Sequence, residues 1–320
     1  MAEMLLTIQH NGTVYSPPVE DGVQIEWERT GAPGKLTFTV LHPKGSTWQF
    51  EEGDPVCFYY DKKKVFMGYI FTKKRDREHK VDVTCYDQIR YLKNKYTYVF
   101  EKKTATQIIK ALCADFNLNT GSMDNTAYVI PAIAEENTAA LDIAMCVLEE
   151  TLLNTGNMFV LYDNFGNLEI KDCANMVSTT LIMEDTAENF DYSSSIDDET
   201  YNNIVLYYKG EDDETIKLYT ATNNAKISQW GTLKYFEETK NATTAQNKAN
   251  ALLKLYCRKT REFKITGAFG DVTVRGGTLI PVKLDLGETK VNNYMLVEKV
   301  THKFKNDHYT MDLTLEGAWE

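Results

Sequence analysis

Short runs in which apolar and polar residues alternate mark both ends of the chain. Val81, Val83 and Cys85 alternate with Asp82 and Thr84, the period-two pattern of a strand with one buried face. Residues 56–60 follow a Gly53-Asp54-Pro55 turn and residues 65–71 follow Asp61-Lys62-Lys63-Lys64, so the two runs read as a hairpin. A charged loop is expected over residues 73–80. After Lys95 the period changes. Thr104 and Gln107 have the spacing of a capping box, and Ala105, Ile108, Ile109, Leu112, Cys113 and Phe116 follow at helical intervals. Residues 138–154 predict a second helix, with Leu141, Ala144, Met145, Leu148 and Leu152 on one face. Residues 127–134 between the helices read as extended. Residues 159–162 and 168–170, joined by Asp163-Asn164-Phe165-Gly166, read as another hairpin.

Strands return at 201–208 and 216–220. A third helix is expected near 243–258, where Thr243-Thr244-Ala245-Gln246 repeats the capping-box spacing and Ala245, Ala249, Leu252, Leu253 and Tyr256 share a face. Residues 280–284, 294–301 and 309–315 alternate as strands, with Lys305-Asn306-Asp307 as a turn. The pattern predicts an α+β, mainly β chain: a β block over 1–95, a small α/β insert over 96–185 and a second β block over 186–320. Short strands with turn signals at this spacing suggest barrels or sandwiches.

The length, 320 residues, suits two or three domains. Apolar residues make up 43 % and charged residues 25 %, which excludes a disordered chain, a collagen and a coiled-coil rod. The longest apolar run is six residues, 143–148, too short for a bilayer-spanning helix. The first residues lack the basic and apolar regions of a signal peptide, so synthesis in the cytoplasm without export is expected. The net charge of −11 argues against wrapping or specifically recognising nucleic acid, which needs a basic face. It leaves open a passage through which DNA slides. Residues 184–215 hold eleven acids against one base, Lys209. They read either as solvated hairpin loops or as the rim of such a passage. The six cysteines show no Cys-x-x-Cys spacing and are expected to be free, buried thiols.

Each catalytic template finds too little. Gly267-Ala268-Phe269-Gly270…Arg275-Gly276-Gly277 lacks the lysine of a phosphate loop and leads into strands. His10, His42, His79, His302 and His308 offer no short-spaced metal set, and His302 and His308 are expected to face each other on a surface hairpin. Glu51-Glu52 and Asp197-Asp198-Glu199 are neighbours in loops, whereas a glycosidase pair must straddle a cleft. Lys62-Lys63-Lys64, Lys73-Lys74-Arg75 and Arg77 read as two solvated loops that could also meet a phosphate or an acidic protein surface. No catalytic, cofactor-binding or metal-ligating residue is assigned.

A different signal lies in the order of several short motifs. Gly53-Asp54-x-Val56 precedes Phe66-x-Gly68-Tyr69-Ile70, then Thr84-Cys85-Tyr86-Asp87-Gln88-x-x-Tyr91-Leu92 and Tyr98-Val99-Phe100-Glu101-Lys102-Lys103-Thr104-Ala105. The second half holds Tyr201-Asn202-Asn203-Ile204-Val205, Gly270-Asp271-x-x-Val274-Arg275-Gly276-Gly277, Leu296-Val297-Glu298-Lys299-Val300-Thr301-His302 and His308-x-x-Met311-x-Leu313-x-Leu315-x-Gly317. Over nearly its whole length the chain resembles the XkdQ/YqbQ family of hub proteins from contractile phage tails and phage-tail-like bacteriocins.

The resemblance implies a structural protein rather than an enzyme. Proteins similar to this one form a homotrimer in the baseplate, each chain giving two β-barrels related to the tail-tube fold. Six barrels then match a hexameric tube, and three chains match a trimeric spike. Blocks 1–95 and 186–320 are the expected barrels. Expected partners are the tail tube protein, the central spike protein, a LysM-containing tail protein, baseplate wedge proteins and the tape-measure protein. The chain would reside in the baseplate of a released particle, without stable membrane insertion. The alternative is a peptidoglycan hydrolase at the tail tip. Some hubs carry a fused lytic domain, and the stretch after the last predicted strand leaves no room for one.

Overall fold

The computed structural model describes residues 3–197, 199–210, 216–239, 242–285, 287, 290–305 and 308–317. Strand accounts for 51 % and helix for 19 %, so the chain is mainly β. It begins with seven strands: β1 (Met4–His10), β2 (Thr13–Tyr15), β3 (Val23–Glu28), β4 (Lys35–Leu41), β5 (Pro55–Tyr60), β6 (Lys63–Arg75) and β7 (Lys80–Tyr86). A 3₁₀ turn, Gln88–Lys93, leads to β8 (Lys95–Thr104), α1 (Ala105–Asp115), β9 (Thr120–Met123), β10 (Val129–Ala139), α2 (Ala140–Thr155), β11 (Phe159–Asp163) and β12 (Leu168–Asp172). Next come β13 (Asn189–Ser195), β14 (Asn203–Lys209), β15 (Ile216–Thr222), α3 (Asn224–Trp230), β16 (Lys234–Glu238) and α4 (Ala245–Tyr256). The last strands are β17 (Thr260–Phe269), β18 (Leu279–Asp285), β19 (Lys290–Phe304) and β20 (Tyr309–Gly317).

Strands from the two ends of the chain share one twelve-stranded sheet, ordered β13-β17-β20-β19-β3-β4-β7-β6-β5-β1-β2, with β18 also on β19. The junction is β3 against β19, antiparallel, with Ile25 opposite His302 and Trp27 opposite Val300. Ile25, Leu36, Phe58, Phe304 and Leu315 are fully buried in this part. The strand order is open at β2 and β13, and no closed barrel is found among the described residues. Contacts divide the chain into a unit of residues 1–151, 157–191 and 263–320 and a smaller unit of residues 152–156 and 192–262.

Within the larger unit the α/β segment has its own core. Leu92, Ile108, Leu112, Leu141, Val147 and Ile170 are among its buried residues. The capping box forms as expected: Gln107 N–H donates to Thr104 Oγ1 at 3.3 Å, and Thr104 N–H donates to Gln107 Oε1 at 3.0 Å. Helix α2 starts at Ala140, two residues later than predicted, because β10 keeps pairing with β8 through Ala139.

The smaller unit is a three-stranded sheet, β15-β14-β16, with α4 on one face. Ala249 and Leu252 of α4 bury Ile204 and Leu206 of β14. The capping box expected at Thr243 does not form. Thr244 is the N-cap and makes no side-chain capping bond, while Gln246 Nε2 donates to Thr220 O at 3.0 Å. Helix α3 escaped the pattern reading because none of its residues is buried, although Asn223 caps it and Gly231 ends it.

Further expectations need correction. The charged loop expected at 73–80 is shorter, since β6 runs to Arg75 and β7 starts at Lys80. Lys73 lies 4.8 Å over the Phe50 ring and Arg75 donates to His42 O, so long basic side chains sit along a paired strand. The hairpin before it turns on Asp61 and Lys62 alone, both at positive φ. All six cysteines are free, but only Cys85, Cys113 and Cys173 are buried; Cys57 and Cys257 are half-buried and Cys146 is exposed. His302 is fully buried rather than on a surface hairpin. In the turn expected at 305–307, Asn306 and Asp307 lie outside the described residues, as do Asp198 and residues 211–214 of the acidic stretch. Glu184, Asp185, Glu188, Asp191, Asp197 and Glu199 are exposed.

Candidate functional site

The residues with the most unusual surroundings cluster in the larger unit, where β3, the 3₁₀ turn, β11 and the 271–277 segment meet. Asp87 caps the 3₁₀ turn: Ile89 N–H donates to its Oδ1 at 3.0 Å and Gly34 N–H to its Oδ2 at 2.8 Å. Its own N–H donates to Gly34 O at 3.0 Å, which ties the cap to the chain before β4. Asp163, at the end of β11, accepts from Gly166 N–H at 2.6 Å and, at 3.3–3.4 Å, from the backbone and side-chain amides of Gln88. The two carboxylates are 2 % and 6 % exposed.

Arg275 supplies the cation. Its guanidinium lies 4.8 Å from the Trp27 ring and 4.6 Å from the Tyr162 ring, and Nη1 donates to Asp163 O at 2.9 Å. Burial, and then the charge of Asp163, push the Asp87 carboxyl well above its ordinary range. Burial likewise raises Asp163, against the hydrogen bonds and the arginine that favour its charged form. Two glycines make the close packing possible. A Cβ on Gly34 would lie 2.4 Å from Asp87 Oδ2, and one on Gly276 would lie 2.4 Å from Arg29 N.

Beside this joint, His302 Nε2–H donates to Val274 O at 2.9 Å and Nδ1 accepts from Tyr309 O–H at 2.7 Å. Burial lowers the His302 pKa to about 4, so the ring is neutral. Asp271 accepts from Thr273 N–H, Thr273 O–H, Thr180 O–H and Ser178 O–H. Burial raises its carboxyl, but these bonds outweigh it and the net shift is downward.

The other residues tested for chemistry do not converge. His10 pairs with Asp54 at 2.9 Å, His42 Nε2–H donates to Trp48 O, and Glu51 and Glu52 are exposed. Gly267, Gly270, Gly276 and Gly277 are close-packed positions, against Glu188, Tyr309, the backbone of Glu28 and Arg29, and Val160 in turn. Of the basic residues, Lys64 lies over Phe165 and Lys73 pairs with Glu52 at 3.4 Å. Among the described residues no group of three metal-ligating side chains occurs. No described helix is long and apolar enough to cross a membrane.

The motifs noted in the sequence thus meet in space: Asp87 and Gln88 from one, Arg275 and Gly276 from another, His302 from a third. Trp27, Tyr162 and Asp163 complete the group. Only Asp163, first residue of a turn, had a local signal. What the arrangement does is join elements; both carboxylates are sealed and every polar contact is internal. The smaller unit has a lesser counterpart in buried Asn202, whose Nδ2 donates to Gly231 O at 2.7 Å and whose Oδ1 accepts from Leu233 N–H at 2.9 Å. Asn202→Ala strands both backbone groups, and about 1–3 kcal/mol of that unit's stability should be lost. Amide exchange confined to residues 200–256 would show it; unchanged protection there would refute the assignment.

The family model described as YQBQ-like matches residues 23–316. The chain is 30 % identical over 305 residues to two Bacillus subtilis proteins, the uncharacterized protein YqbQ and the phage-like element PBSX protein XkdQ. In each case 92 % of this chain and 91 % of the relative are covered. Among solved structures, the 43 kDa tail protein of prophage MuSo2 from Shewanella oneidensis shares the fold with a TM-score of 0.73 at 14 % identity, covering 97 % of this chain and 98 % of that one. An E. coli type VI secretion component, described as structurally similar to the T4 bacteriophage tail proteins gp27 and gp5, gives 0.60 at 11 % identity, covering 98 % and 77 %.

Proposed function

Because the chain belongs to the YQBQ-like family, we propose that it is the central hub of a contractile-tail baseplate, a trimeric ring between a hexameric tail tube and a trimeric spike. The observation that carries this reading is whole-length likeness to a phage tail protein, covering nearly all of both chains. A scaffold reading also suits a polar cluster that is spent on joining strands. In the proposal, blocks 1–95 and 186–320 furnish the two tube-like barrels of each chain, and segment 96–185 lies outside the ring or toward the spike. A ring of three needs a head-to-tail interface that closes after three copies.

The smaller unit supports a partnered chain. On the sheet face opposite α4, Ile216, Leu218 and Phe236 are each about 60 % exposed, and Tyr207 stacks on Phe236 at 5.0 Å. Exposed apolar faces of this kind mark interaction surfaces. The proposed partners are the tail tube protein, the central spike protein, a LysM-containing tail protein, wedge proteins and the tape-measure protein. The protein is proposed to act without catalysis. The sealed Asp87–Asp163 pair offers a peptidoglycan substrate no access, so no observation favours the hydrolase alternative.

Mass photometry of the full chain with its spike partner should find three copies of this chain per complex. A stable complex with one, two or six copies would refute the hub reading, because two barrels per chain match a hexameric tube only in threes.

A further inference from the structure

The β11–β12 turn carries a strained residue that contacts with other elements hold in place. Phe165 sits at φ 50°, in the left-handed region where a bulky side chain is strained. Its ring rests on Tyr59, with Lys64 over its face at 5.0 Å, and Gly166 closes against Met67. Asp163 fastens the turn at its base, through Gly166 N–H on one oxygen and Gln88 on the other. These contacts attach the α/β segment to the large sheet.

The charge at that base does not balance. Asp87 and Asp163 are two sealed carboxylates, and Arg275 is the cation stacked beside them. The further groups placed around the pair and Tyr162 are phenols and carboxylates. Tyr69 comes from β6, Tyr162 from β11, and Glu169 from β12, where it accepts the Tyr162 O–H at 2.7 Å; Asp124 stands near Tyr162. With both carboxylates ionised the site carries excess negative charge out of water, which one proton on the pair removes.

We propose that Asp87, Asp163 and Arg275 form a proton-operated latch: one proton held within the carboxylate pair keeps the strained β11–β12 turn docked, and its loss in alkali releases the turn. Deprotonation leaves two like charges in one site sealed from water, and the strain at Phe165 favours opening. Helix α1, with its own core, stays closed.

Amide exchange of the full-length protein, corrected for intrinsic rates and read from pH 6 to pH 9, tests the latch. In the wild type, residues 163–168 and 88–92 should lose protection at least tenfold across that range, with α1 unchanged. Asp163→Asn and Asp87→Asn each remove the excess charge, and either folded variant should hold protection within twofold. Wild-type protection that does not change with pH would overturn the proposal, as would an undiminished loss in a folded variant. Should neither variant fold, carboxyl-carbon NMR of the wild type decides. A step from this pair above the ordinary carboxylate range supports the latch, and two ordinary titrations refute it.

Discussion

Arg275→Met is expected to lower the stability of the larger unit by about 3 kcal/mol at neutral pH. Methionine fills much of the space between Trp27 and Tyr162, so lost packing is the smaller part of the effect. The larger part is electrostatic: Asp87 and Asp163 would keep their sealed positions without the guanidinium. Their carboxyls, already raised by burial, would rise further. A folded-state pKa above the unfolded value gives stability that is present in acid and lost as pH rises through it. The deficit of the variant should therefore grow from pH 5 to pH 8. Arg275→Lys keeps the charge but loses the planar stacking and should fall between the two. Urea unfolding of the three proteins at both pH values measures this. A deficit below 1 kcal/mol at pH 8, or one that does not change with pH, would show that Arg275 is not needed to balance the pair.

His302→Phe should remove an acid-sensitive component that runs the other way. The wild-type ring stays neutral in the folded state down to about pH 4, whereas the unfolded chain takes up a proton near pH 6.5. A depressed folded pKa gives stability that is present above the unfolded pKa and lost as pH falls through the window from 6.5 to 4. Over that window the loss amounts to about 3 kcal/mol. Phenylalanine keeps the edge contact with Trp27, at 5.1 Å between rings, but strands Val274 O and the Tyr309 hydroxyl. The variant should be about 1–3 kcal/mol less stable at pH 7.5. Its disadvantage should shrink by about 2.5 kcal/mol toward pH 4.5 because it has no imidazole to protonate. Denaturant midpoints for both proteins at pH 7.5, 6 and 4.5 decide it. A constant difference across these values would mean that His302 is not the group that titrates.

Local elements were readable because their causes are local. The alternation at Val81, Val83 and Cys85 gives β7 its buried face, and Thr104 with Gln107 caps α1 as their spacing requires. Where a local signal failed, a tertiary contact had taken the group. Gln246 bonds to Thr220 O instead of completing a cap, and Lys73 and Arg75 follow a paired strand because Phe50 and His42 lie beside them. His302 looked like a hairpin residue because nothing near it in the chain announces Val274 or Trp27.

The sequence by itself determined the mainly β class, the placement of α1, α2 and α4 between strands, and the family to which the chain belongs, since periodicity, caps and motif order are properties of neighbours along the chain. The tertiary structure decided what those motifs are for. Ile25 meets His302 only because β3 pairs with β19, and Arg275 meets Asp163 only because the 271–277 segment folds back on β11. Such pairings bring together residues more than a hundred positions apart. Their register is set by the burial of whole strand faces rather than by any local preference. Hence the joint of Asp87, Asp163 and Arg275 existed in the sequence as three unrelated polar residues, and only strand pairing and the packing of side chains made it one site.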